Sequence, residues 1–197
     1  MSSAIIQIAT GVFVKGIASF DDTLTRIPII AELTRTRKGR IAFSFGTICA
    51  LTVIVIIAIL FSNILDRIAF RNQIIALLIF VLAILVYFEV FINKSQKKVE
   101  KNLKKVKARS VPIVKLISIG FIVSFITLID DMIILTPLFM SNTTETFYSL
   151  VGVYLATIVQ IIIVIYFGGK ITKFRYKKEI ASFALTILAI LVWNGIV

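Results

Sequence analysis

The chain has 197 residues, of which 59% are hydrophobic, and a formal net charge of +12 at pH 7. The apolar share exceeds that of an ordinary soluble domain, so the composition argues against a soluble globular protein and leaves no length for a separate soluble domain. Its one cysteine and its lack of histidine exclude an internal disulfide and the commonest transition-metal ligand.

Six apolar segments separated by short polar loops predict six membrane-spanning helices, because about 20 residues suffice to cross the hydrocarbon core. The first segment is the most polar, since it contains Lys15, Asp21, Asp22 and Arg26. No cleavable signal peptide is expected, because the first residues carry no basic stretch. In chain order, the predicted helices cover residues 4–30, 41–61, 73–92, 112–140, 147–167 and 180–197.

Lysine and arginine concentrate in the first, third and fifth loops between these segments, whereas the second and fourth loops carry few. The cytoplasmic loops of membrane proteins hold the excess of basic residues. The pattern therefore predicts a multi-pass protein of the cell membrane with both termini outside, and it does not indicate a nucleic-acid partner. The most basic loop, 94–110, is interpreted as a cytoplasmic linker that fixes the topology, with contact to anionic membrane lipids as the alternative.

Two segments of the chain share one pattern, in which an apolar residue precedes a pair of aspartates and a proline lies six residues after the second aspartate. The matching residues lie at one constant offset, which also relates Gly11 to Gly120. A second match relates residues 82–86 to 188–192, which both read LAILV. The two sets are Asp21, Asp22 and Pro28 in the first half and Asp130, Asp131 and Pro137 in the second.

The chain is therefore predicted to consist of two copies of a three-helix unit, at residues 1–93 and 111–197, joined by the basic linker. Because each copy has an odd number of spans, the second copy must be inverted in the membrane. The predicted fold class is an all-α integral membrane protein of six transmembrane helices, built as two inverted three-helix repeats. Such repeats place the substrate site near the midplane of the bilayer, at the interface between the halves.

The aspartate pairs are the candidate substrate site, because a carboxylate in the bilayer core costs about 2.5–3.5 kcal/mol on insertion scales. We expect Asp22 and Asp131 to face the substrate. Oxygen ligands suit Ca²⁺, Mn²⁺ and Mg²⁺, so a divalent cation is predicted as the transported substrate, with no other cofactor. The candidate metal ligands are Asp21, Asp22, Asp130 and Asp131, with further ligand atoms from Thr23, Thr25, Thr136 and Gln160.

The two matching prolines are predicted to break their helices. Neither Pro28 nor Pro137 can donate a backbone hydrogen bond to the carbonyl group four residues earlier, so that carbonyl oxygen is free near the carboxylates. Four neighbouring carboxylates do not all stay ionised without a bound cation, and some of them then bind protons. This arrangement predicts transport that is coupled to proton exchange.

Two basic residues of the first predicted helix have no counterpart in the second copy. Arg26 lies at ion-pair spacing from Asp22, and Lys15 lies one to two turns before the aspartates. Three interpretations stay open. Arg26 neutralises Asp22 and leaves the second aspartate pair to work; or the site takes a substrate with both charges, such as an amino acid; or both basic side chains reach the membrane surface and matter little.

The second aspartate pair lies in the motif FITLIDDM at residues 125–132, which is followed by PLF at 137–139. This segment is similar to the second-half motif of the cadmium-resistance transporters. The DDT motif at 21–23, followed by a basic loop and GT at 46–47, resembles the Glu-x-Gly-Asp-Lys-Thr motif of the Golgi manganese/calcium transporters, although the glycine before the second aspartate is absent.

With the predicted inverted plan and the basic central loop, the chain resembles the LysE superfamily of exporters. The resemblance implies cation export, and the residues that match the motifs are Asp21, Asp22, Asp130 and Asp131.

The sequence thus predicts a secondary transporter that exports a divalent cation such as Mn²⁺, Ca²⁺ or Cd²⁺ by proton exchange. An exporter of amino acids or other small solutes is the first alternative, and a membrane scaffold or accessory protein is the second. An enzyme is not expected, because catalytic arrangements that depend on histidine cannot form. The expected partners are membrane lipids, the transported cation and protons, and a homodimer is left open.

Overall fold

The fold was obtained as a computed structural model that describes residues 2–19, 37–88, 112–140, 142–167 and 177–195. Every secondary-structure element in these ranges is helical, which confirms the predicted all-α class for this part of the chain. The elements are α1 (Ser2–Ala18), α2 (Arg37–Leu65), α3 (Arg71–Tyr87), α4 (Ile113–Thr127), α5 (Asp131–Leu135), a 3-10 helix (Thr136–Phe139), α6 (Thr143–Phe167) and α7 (Lys177–Trp193).

Two of the described helices are long and apolar enough to cross a membrane. They are α2, over Lys38–Leu65, and α6, over Thr143–Ile163. A third span results if α4 is counted together with α5 and the 3-10 helix, and the other apolar helices, α1, α3 and α7, are shorter. The described residues therefore contain two to three spans by length and composition, and parts of the predicted first, third and sixth spans lie outside them.

The fourth predicted helix, 112–140, is not continuous, and the sequence-based prediction is wrong here. Helix α4 ends at Thr127, and the chain bends by 69° before the segment that begins at Asp131. The break covers residues 128–130 and so includes Asp130, which caps α5 and accepts a hydrogen bond from the Asp131 backbone N–H at 3.2 Å. The acidic pair thus lies at a helix break, where the regular helical hydrogen bonds of the backbone are interrupted.

Pro137 explains the second change of geometry in this segment. It lies in the first turn of the 3-10 helix, and its missing N–H cannot continue the α-helical hydrogen bonds of α5. Polar side chains bind the carbonyl groups around it. Thr136 donates to the Met132 carbonyl at 2.6 Å, and the Ser62 hydroxyl of α2 shares its hydrogen between the carbonyls of Ile59 at 2.8 Å and Phe139 at 3.2 Å. These hydrogen bonds hold the broken segment in place although the regular helix is interrupted.

The helices pack in three main pairs, α1 with α6, α2 with α4, and α3 with α7. In the first pair Gly11 faces Gly152, and in the second Gly46 faces Gly120. A Cβ atom on any of these glycines would overlap backbone atoms of the opposite helix, so the close crossings depend on the missing side chains. The pairing is symmetric between the two predicted three-helix copies. The first helix of each copy packs against the second helix of the other copy, and the two third helices pack against each other.

The core lies between the helix pairs, whereas the outer faces are also apolar. Ile54 and Ile79 are fully buried, together with Leu135 of α5 and Leu188 of α7. Large hydrophobic side chains on the outside are exposed along all the long helices, for example Phe183, which is 68% exposed. Exposed apolar surface of this extent is typical of a face that contacts lipid or another protein.

Candidate functional site

The centre of the candidate site is an ion pair between Lys15 of α1 and Asp131 of α5. The Lys15 ammonium binds Asp131 Oδ2, and the relative exposure of both residues is 0%. A buried ion pair requires close contact because each charge loses its hydration, and removal of one partner leaves an uncompensated charge. Buried charges in apolar helices are costly, so this pair is the strongest candidate for a functional site in the described residues.

The position of Lys15 follows from the packing of α1. Gly11, Lys15 and Ser19 are spaced by four residues, so they lie along one face of the helix, and all three are buried. The crossing at Gly11 brings this face close to α6. Because α1 also contacts α5, the same face directs Lys15 and Ser19 towards Asp131.

Two further polar side chains complete the environment of the pair. Ser19, the residue that follows α1, donates a hydrogen bond from Oγ to Asp131 Oδ2 at 3.3 Å, so this oxygen accepts from both Lys15 and Ser19. Gln160 of α6 donates from Nε2 to the Lys15 backbone carbonyl at 3.4 Å. Asp131 Oδ1 is buried and has no hydrogen-bond partner within the described ranges. One side of the carboxylate is therefore compensated and the other is not.

A second buried polar contact lies at the crossing of α2 and α4. The hydroxyl groups of Thr47 and Ser124 are 2.8 Å apart, and both side chains are buried. Ser124 follows Gly120 by four residues, as Lys15 follows Gly11, so the two residues occupy matching positions in the predicted copies. The first copy has a charged group where the second has a neutral hydroxyl, and only the charged group requires an acidic partner.

The other predicted site residues in the described ranges lie around the helix break. Asp130 is half-buried, and Thr136 and Pro137 are buried. Gln160 is half-buried and lies next to the ion pair through its bond to Lys15. The structure therefore brings Asp131, Lys15 and Gln160 together.

The remaining predicted site residues lie outside the described ranges. They are Asp21, Asp22, Thr23, Thr25, Arg26 and Pro28. Within the residues that are described, no group of three or more histidine, cysteine, aspartate or glutamate side chains could hold a metal ion. A complete divalent-cation site would therefore need ligands beyond those described.

The structure corrects the interpretation that Lys15 reaches the membrane surface. The side chain is buried and its ammonium binds Asp131, so it is part of the candidate site. Sequence reasoning considered Asp22 and Arg26 as an ion pair but did not find the partner of Lys15, which lies 116 residues away. The buried face formed by Gly11, Lys15 and Ser19 is the signal that indicates where this lysine points.

Comparisons of the chain with protein-family models, with curated proteins and with solved structures give no match. The resemblance to the LysE superfamily therefore stays a prediction that rests on short motifs and on the layout of the chain.

Proposed function

We propose that this protein is a six-helix membrane transporter that exports a divalent cation, in exchange for protons, through a site that contains Asp131. The observation that carries the proposal is the fully buried Asp131 carboxylate at a helix break, bound by Lys15 from the other half of the chain. Transporters bind ions where helices are interrupted, because the break exposes backbone oxygens and side chains inside the protein.

The helix pairing supports the inverted-repeat part of the proposal. Gly11 and Gly152 form one crossing, and Gly120 and Gly46 form the other. Gly11 matches Gly120 in the predicted copies, and each contacts the middle helix of the opposite copy. Two copies related by a two-fold axis in the membrane plane would produce two equivalent crossings of this kind.

The apolar outer surface and the distribution of basic residues support a location in the cell membrane. Helices α2 and α6 have the length and hydropathy of membrane spans, and large apolar side chains cover the outside. The excess of basic residues in the first, third and fifth loops supports a cytoplasmic position for these loops, with both termini outside. Membrane lipids are then the partner of the outer surface.

A second function is favoured by the ion pair itself. The site contains one positive and one negative group, Lys15 and Asp131, and a zwitterionic amino acid carries a carboxylate and an ammonium that would match them. In this alternative, both members of the pair bind the substrate.

The first test is a flux assay with purified protein in proteoliposomes. The panel contains Mn²⁺, Ca²⁺, Mg²⁺, Cd²⁺ and Zn²⁺ as well as radiolabelled lysine and alanine, each with and without a pH gradient. The cation proposal predicts flux of at least one divalent cation that a pH gradient accelerates. Flux of the amino acids alone would support the second function, and flux of no substrate would contradict both.

The variant Asp22→Asn tests whether the first aspartate pair takes part. If both halves contribute ligands, the flux is lost in Asp22→Asn as in Asp131→Asn. Loss of flux in Asp131→Asn alone would mean that Asp22 is neutralised by Arg26, as one of the sequence-based interpretations holds.

A further inference from the structure

The candidate site already contains a cation that belongs to the chain. The Lys15 ammonium binds Asp131 Oδ2, and the two charged groups are enclosed by protein. An ammonium group is a compact charge on a flexible stem of four carbons, so it can leave one partner and return without a change of the backbone. A metal cation that binds the same carboxylate has to compete with it.

We propose that the Lys15 ammonium occupies the position on Asp131 that the transported cation takes, so that Lys15 and the cation alternate on this carboxylate. The inference rests on the proposed function, because it describes the substrate-free state of a cation transporter. In that state the lysine acts as a tethered competitor that keeps the carboxylate neutralised.

Charge balance supports the alternation. A buried carboxylate without a partner is strongly unfavourable, so an empty site needs a positive group at Asp131. If the cation bound while Lys15 stayed in place, two positive charges would lie against one carboxylate in a medium of low dielectric constant. The favourable states therefore have either the ammonium or the cation on Asp131.

The asymmetry of the carboxylate shows where a cation can approach. Asp131 Oδ2 accepts from Lys15 and Ser19, whereas Oδ1 is buried and has no hydrogen-bond partner in the described part of the chain. In the proposed exchange, the cation contacts Oδ1 as the ammonium leaves Oδ2. The carboxylate stays compensated throughout such a displacement, which avoids the cost of an isolated buried charge.

This arrangement has a consequence for the transport cycle. Because the cation has to displace Lys15, it binds Asp131 less tightly than it would bind the same carboxylate without the lysine. When the cation leaves, Lys15 returns to Asp131 and assists the release. Removal of the ammonium should therefore tighten cation binding and slow the turnover, which is a split between KM and kcat.

The variant Lys15→Met tests the inference, since methionine has an unbranched apolar side chain that is one atom shorter and lacks the charge. With Mn²⁺ and Ca²⁺ as probes, we expect KM to fall about tenfold or more and kcat to fall as well. Thermal unfolding gives a readout that does not depend on transport. The unfolding temperature of the purified variant should rise more steeply with Mn²⁺ concentration than that of the wild type, because a more tightly bound ligand stabilises the folded state more.

Two further variants keep the test independent of misfolding. Lys115→Met removes an exposed lysine of α4 and should leave KM unchanged. Lys15→Arg keeps the positive charge and adds a fork of donors that can bind both carboxylate oxygens, so it should raise KM. If Lys15→Met does not fold, the rise in KM that is predicted for Lys15→Arg still tests the inference.

Three results would overturn the inference. An unchanged KM in Lys15→Met and in Lys15→Arg would mean that Lys15 only stabilises the fold. A higher KM for these cations in Lys15→Met would mean that Lys15 supports the geometry of the cation site and does not compete for Asp131. A wild-type protein that transports neither probe cation would overturn the proposed function as well, whereas in the first two cases cation flux that depends on Asp131 would leave the proposed function standing.

Discussion

Lys15 and Asp131 lie 116 residues apart in the chain and form a buried ion pair between its two halves. Each residue is on a short or interrupted helix, and neither charge is accessible from outside. The pair thus joins the first helix of the chain to the helix break in the second half. It has consequences for stability that can be measured separately from transport.

The stability of the fold should depend on both members of this pair together. Lys15→Met or Asp131→Asn alone should lower the free energy of unfolding by about 3–5 kcal/mol, because each leaves the partner buried without compensation. The double variant should recover much of this loss, since it leaves no uncompensated charge. The measurement is a double-mutant cycle by chemical unfolding in detergent. Additive losses would contradict the ion pair.

The glycine crossings predict a contrast within α1. Gly11→Ala should destabilise the protein by about 1–3 kcal/mol, because its Cβ would overlap the Ser149 carbonyl of α6 and force the helices apart. Gly16→Ala is the matched control, since nothing lies within 4 Å of a Cβ atom at that position. It should leave the stability unchanged or raise it by about 0.5–1 kcal/mol. Equal effects in thermal unfolding would contradict the crossing.

The hydrogen bond between α2 and α4 should contribute a smaller amount. Ser124→Ala should lower the free energy of unfolding by about 0.5–1.5 kcal/mol, because it removes the buried contact with Thr47. Ser118→Ala, on the same helix, is the control: Ser118 binds the carbonyl of Val114 within its own helix and is exposed. A larger loss for Ser118→Ala than for Ser124→Ala would contradict the assignment.

The proline of the broken segment should matter for transport more than for stability. In Pro137→Ala, residue 137 gains an N–H that can bind the Ile133 carbonyl, so α5 can extend and displace the Phe139 carbonyl from Ser62. We expect the variant to fold and to transport at a reduced rate. Pro112→Ala is the control, since Pro112 lies at the exposed start of α4. Equal transport rates for both variants and the wild type would contradict a role of the break.

The all-helical fold was predictable because the apolar segments are long and are separated by charged loops. Helix α2 extends further than predicted, from Arg37 to Leu65, because polarity alone does not mark the last turn of a helix. The bend before Asp131 was not predictable, since no glycine or proline occupies residues 128–130. Pro137, which was predicted to break the helix, lies six residues after Asp131 and accounts for the 3-10 helix and not for this bend.

The carboxylates of the candidate site were predictable from the sequence, whereas the place of the Lys15 ammonium in it was less so. Buried aspartates in an apolar segment indicate a site on energetic grounds, and Asp131 was therefore named from the sequence. The partner of Lys15 depends on how α1 packs against α5 and α6, which no local pattern encodes. The crossing at Gly11 and the buried face that continues to Ser19 determine it.

The most direct test of the proposed function compares two aspartate variants in the same flux assay. Asp131 is buried against Lys15, whereas Asp66 forms an exposed ion pair with Arg71 in the turn before α3. With Mn²⁺ and Ca²⁺ as the transported cations, Asp131→Asn should abolish flux into proteoliposomes, and Asp66→Asn should transport as the wild type does. Undiminished flux in a folded Asp131→Asn protein would contradict the account.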